Sequence, residues 1–158
     1  MGTLFNIPGK TKDTVNARLD LQDLRIRSEL HLQVTSRGLI KPPASYVLNQ
    51  SERKSFCDWL KMVKFPDNYA SNIGRWVRDD TITGLKSHDC HVLLEILLPV
   101  GIRPYLPPNV CDVVLDLCGF FKQLCQMTLS TSVIDDLERG IVIILCKLER
   151  ILPPAFLM

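Results

Sequence analysis

Nothing in this chain of 158 residues approaches the ~20 consecutive apolar residues needed to span a bilayer. The longest apolar stretch, Val92 to Val100, is broken by Glu95 and Pro99. Met1-Gly2-Thr3-Leu4-Phe5 has no positive segment leading into an apolar core, so no secretory signal and no membrane association are expected. A net charge of +2 is too small to argue by itself for nucleic acid. No motif suggests a small-molecule substrate, and no internal repeat is evident. A disulfide framework is not expected either. Cys111, Cys118 and Cys125 recur every seven residues, which strings them along one helix stripe rather than scattering them among loops. They read as reduced, buried thiols of an intracellular protein, packing as small hydrophobes.

What is present is an ordinary globular composition, 46% hydrophobic and 23% charged, with room for one core. Charge is divided unevenly, at net +4 over residues 1–80 and net −2 over 81–158. Any phosphate-facing surface should therefore favour the first half. There Lys61, Lys64, Arg75 and Arg78 interleave with Tyr69 and Trp76, a mixture able to track a DNA backbone. Asp67, Asp79 and Asp80 dilute it, and a solvated face with Trp76 as a packing anchor is the plainer reading.

The spacing of apolar residues predicts an all-α chain of about five helices in an irregular array or bundle. Thr11 or Asp13 should cap a first helix to about Leu30, with Val15, Leu19 and Leu24 on its apolar side. Gly38 and Pro42-Pro43 mark a linker or turn. Asn49-x-x-Glu52 is a capping box for a second helix that puts Phe56, Trp59, Leu60 and Val63 on one face. Residues 67–85 read as loop and short elements. Ser87 should cap a third helix, with Val92, Leu93, Ile96 and Leu97 inward, ended by Pro99. Asn109 should cap a fourth that keeps Val110, Val114, Leu117, Phe121 and Leu124 in helical register through Met127. Ser132 should open a fifth, with Ile134, Leu137, Ile141, Ile144, Leu145 and Leu148 as its buried stripe. The β-branched run Ile141-Val142-Ile143-Ile144 leaves a strand as the minor alternative.

Several strings are more specific than this. Thr3-Leu4-Phe5-Asn6-Ile7-Pro8-Gly9-Lys10-Thr11-Lys12-Asp13 runs on to Ala17-Arg18-Leu19-Asp20-Leu21. Further along stand Pro66-Asp67-Asn68-Tyr69-Ala70-Ser71-Asn72-Ile73 and Gly84-Leu85-Lys86-Ser87-His88-Asp89-Cys90-His91. The segment Ile144-Leu145-Cys146-Lys147-Leu148-Glu149-Arg150-Ile151-Leu152-Pro153-Pro154-Ala155-Phe156 closes the series. In order and spacing the chain resembles plant proteins of the CACTA (Enhancer/Suppressor-mutator) transposon superfamily. By that resemblance, residues 1–35 are the tail of a transposase segment and 36–83 a linker and helical connector. Residues 84–158 are then the N-terminal part of the uncharacterised domain that follows.

The resemblance implies nuclear DNA transposition as the setting, with transposon DNA or the remaining transposase segments as partners. Transposase chemistry needs carboxylates that hold paired metal ions ~4 Å apart. The family's catalytic aspartates are absent from this chain, so it is expected to be a truncated, non-catalytic piece. Glu149 or Glu95 would be the helix-borne acid of a full-length site, against the plainer reading of an exposed surface glutamate.

His88-x-x-His91 has metal-ligand spacing, since residues three apart share a helix face. Cys90 points about 100° from His91, and Cys57 has no supporting spacing. By resemblance to related recombinases, His88 and His91 would be half of a zinc site in a full-length protein, completed by an upstream cysteine pair. The plainer alternative is that they cap the helix start. A different class of function also stands open: a helical protein–protein interaction module derived from transposon sequence, without DNA or metal role.

Overall fold

The computed structural model describes residues 1–36, 38–66, 69 and 72–153. The chain is mostly helical, but the expectation of a strictly all-α fold is corrected by two small antiparallel strand pairs. Strand β1 (Gln33–Thr35) pairs with β2 (Gly38–Ile40) where a linker or turn was expected, and β3 (Val77–Arg78) pairs with β4 (Thr81–Ile82). In each, cross-strand pairing satisfies backbone groups of a segment that connects two helices. Among the described residues no helix is long and apolar enough to cross a membrane.

Helix α1 spans only Val15–Asp23, capped by Thr14, whose side chain accepts from the Ala17 amide at 3.2 Å. It stops early because Arg25 and Arg27 adopt left-handed φ of 54° and 51°. The expected apolar side was also wrong. Val15, Leu19 and Leu24 are exposed, while Ala17, Arg18 and Leu21 face inward. The reason is Asp13, which is not a cap. Its carboxylate takes two hydrogen bonds from Arg18, at 2.5 and 2.8 Å, in a pair with side chains 1% and 0% exposed. A partnered guanidinium can be buried where a lone one cannot, so the pair turns the helix about its axis relative to its apolar pattern.

Helix α2 (Gln50–Met62) carries the full capping box. Asn49 Oδ1 accepts from the Glu52 amide at 2.9 Å, and the Asn49 amide donates to Glu52 Oε2 at 2.8 Å. Phe56, Cys57 and Leu60 are buried on its inner face. The third helix differs most from expectation. It begins as α3 (Ser87–Val92), with Lys86 rather than Ser87 at the cap position. It passes through a π turn over Leu93–Leu97 and continues as α4 (Leu98–Gly101), across Pro99. The wider π turn accommodates the missing amide and bulk of Pro99, which would break a regular helix. At its end Gly101 meets α2 so closely that a Cβ would stand 2.3 Å from the Trp59 ring.

Helix α5 (Pro108–Leu124) starts two residues earlier than a cap at Asn109 would allow, with Pro107 at the cap position and Pro108 in the first-turn position that tolerates a missing amide. Helix α6 (Thr131–Ile151) is capped by Ser130, not Ser132, and settles Ile141–Ile144 as helix. Its buried side is Leu137, Ile144 and Leu148, packed on α5, while Ile134 and Leu145 of the expected stripe flank it in the open. One hydrophobic cluster joins the whole. Phe5, Leu21 and Leu30 meet Tyr46, Phe56 and Ile73, and both groups meet Leu93, Ile102, Val110, Ile144 and Leu148. Arg27 donates to the carbonyl of Leu152, tying the N-terminal segment to the end of α6.

Candidate functional site

The sequence-derived candidates fall in three places. Lys61 is exposed near the end of α2, and the backbone of Gly74 approaches its Cα, so Arg75 and Arg78 stand on elements packed beside that helix end. Lys64, Arg75 and Arg78 are exposed. Lys61 is partly neutralised by Asp58 at 2.9 Å, with both side chains largely in solvent. Trp76 is half-buried against Gly84, where a Cβ would lie 3.0 Å from the ring. Tyr69 stacks on Phe65 with centroids 5.6 Å apart. Asp67, which the charge reading weighed against this surface, lies outside the described residues.

Glu149 is exposed near the end of α6, where its charge is felt by Arg27. Glu95 lies in the π turn, half-shielded. Its Oε1 is 3.1 Å from His91 Nδ1. His88 and His91 diverge in their contacts, for His88 Nε2 lies 2.9 Å from the carbonyl oxygen of Tyr69. Cys57 is buried, and burial pushes its thiol up to about 11. It is inert packing.

The ligand atoms that do converge are those of His91, Glu95 and Cys125, all within 4.8 Å of one another. Sequence spacing offered only part of this. His91 and Glu95 are four apart on one helix face, which is legible. Cys125 was expected in a buried stripe with Cys111 and Cys118, and this is corrected: Cys111 and Cys118 are buried but Cys125 is exposed. A seven-residue repeat drifts ~20° per repeat on a straight helix, and α5 ends at Leu124, leaving Cys125 as its C-terminal cap. Because α5 packs back along the π turn, that cap reaches the His91 end of α3. Burial raises the thiols of both Cys111 and Cys118, the latter to about 11.

Elsewhere two polar groups stand out. The Asp89 carboxylate is fully buried in the first turn of α3, and neither oxygen has a hydrogen-bond partner among the described residues. The buried Tyr46 hydroxyl stands beside the Asp13–Arg18 pair and senses both charges. Burial, then the Asp13 charge, pushes its ionisation well up. An apolar cavity of about 130 Å³ lies between α5, α6 and the N-terminal segment, lined by Leu4, Leu94, Val113 and Leu117. That is below the ~300 Å³ at which ligand pockets usually begin. No family model, no curated protein and no solved structure matches this chain.

Proposed function

We propose that the chain is a non-catalytic helical piece of a CACTA-type transposase-like protein, supplying contact surface rather than strand-transfer chemistry. The family assignment is supported by the ordered strings Thr3–Asp13, Pro66–Ile73, Gly84–His91 and Ile144–Phe156. The contact role rests on the β1–β2 hairpin. It stands clear of the core with Val34 85%, Leu39 59% and Ile40 47% exposed. A two-stranded hairpin is marginal in water on its own, and apolar residues on both its strands are better accounted for by a partner surface.

Two measurements test this. Purified chain with Mg²⁺ or Mn²⁺ should neither nick nor join DNA, and cleavage abolished by Glu149→Ala would sink the non-catalytic reading. Co-expression with the transposase segment of a CACTA-type protein should yield a complex that Val34→Lys and Leu39→Lys disrupt. An unrelated, self-contained reading frame on both sides would favour instead the interaction module without DNA or metal role.

A further inference from the structure

We propose that His91, Glu95 and Cys125 form a zinc(II) site at the junction of α3, the π turn and the end of α5. Imidazole nitrogen, carboxylate oxygen and thiol sulfur lie within 4.8 Å of one another, and His91 Nδ1 is 3.1 Å from Glu95 Oε1. Zinc bonds of ~2.0–2.3 Å arranged tetrahedrally separate neighbouring ligand atoms by about 3.4–3.8 Å. The histidine–glutamate edge is already that short. The sulfur needs to move by about 1 Å, within reach of a side-chain rotation at an exposed position.

Two further features set this cluster apart from a surface ion pair with a cysteine nearby. Glu95 sits in the π turn that carries the helix across Pro99, and π turns of this kind occur frequently at functional sites. Cys125, alone of its seven-residue series, is released from the core at the end of α5 and brought to residues some thirty positions earlier in the chain. One sulfur, one nitrogen and one oxygen suit zinc. Magnesium and calcium prefer all-oxygen sets. Binding displaces the Cys125 proton to solvent, forms the zinc–sulfur bond, and leaves the fourth position to water. His88 takes no part, since it is turned to the Tyr69 carbonyl.

Cobalt(II) titration of the reduced 158-residue chain tests the site. One equivalent should produce a thiolate-to-cobalt charge-transfer band in the near ultraviolet, bleached by added zinc. Cys125→Ser should remove the band. His91→Ala and Glu95→Gln should each weaken zinc binding by more than about a hundredfold, beyond the ~10–100-fold loss of an outer-shell partner. His88→Ala and Cys90→Ser should leave band and affinity unchanged. In the parent protein, zinc-induced amide shifts should centre on residues 91, 95 and 125, a readout that needs no variant to fold. Absence of the band, zinc binding by Cys125→Ser equal to the parent, a loss in His88→Ala matching that of His91→Ala, or shifts centred elsewhere would each overturn the site.

Discussion

Replacing Asp13 with alanine should cost far more than its place in an N-terminal loop suggests. The change leaves the Arg18 guanidinium, whose side chain is 0% exposed, with neutral partners, the carbonyls of Leu30 at 2.7 Å and Pro42 at 3.4 Å, and no buried counter-charge among the described residues. Lys41, 3.5 Å from the same carboxylate, loses its counter-charge too. Breaking a buried pair from one side costs about 3–5 kcal/mol. Against a total stability of about 5–15 kcal/mol that is a large fraction. For a chain of this size it corresponds to a fall in Tm of about 6–20 °C. Urea unfolding followed by circular dichroism measures it. The double variant Asp13→Leu/Arg18→Met should recover most of the loss, because an apolar pair removes both desolvation penalties together.

The pH dependence follows from the same contacts. Burial alone would raise the Asp13 carboxyl, but the Arg18 hydrogen bonds and charge, joined by the Lys41 charge, outweigh it and hold the pKa below its ordinary value. A depressed folded pKa means the pair's stabilisation is complete above the unfolded value of ~3.9 and is lost as pH falls through the folded one. Asp13→Asn should therefore flatten the acid limb of the stability profile below about pH 4. If Asp13→Ala unfolds within about 0.5 kcal/mol of the parent, or the double variant is as unstable as the two single changes added together, the reasoning about a buried, coupled pair is wrong.

Gly101→Ala should destabilise by about 1–3 kcal/mol in the same urea assay, since its Cβ would overlap the Trp59 and Phe56 rings. Gly140→Ala should act in the opposite direction, by about 1 kcal/mol, because the added Cβ meets nothing within 4 Å in the middle of α6. Mass spectrometry after brief thiol labelling should find Cys90, Cys125 and Cys146 modified and Cys57, Cys111 and Cys118 protected until denaturant is added. Equal labelling of all six would contradict the packing of α2 and α5.

Local rules were enough wherever one segment decides its own conformation. The Asn49–Glu52 capping box, the inward Phe56 and Leu60, and the Leu137–Ile144–Leu148 stripe all rest on helical period and short-range hydrogen bonds. Cap positions slipped where two neighbouring residues offered similar chemistry, as with Ser130 and Ser132. What the tertiary structure alone decided involves partners far apart in sequence or a compensation that spacing cannot encode. Arg18 is buried because Asp13 and two distant carbonyls satisfy it, which turned α1 against its own apolar pattern. Pro99 is carried inside a helix because a π turn precedes it. Cys125 meets His91 and Glu95 because α5 packs along the π turn and ends where it does, and a period of seven cannot say where a helix stops.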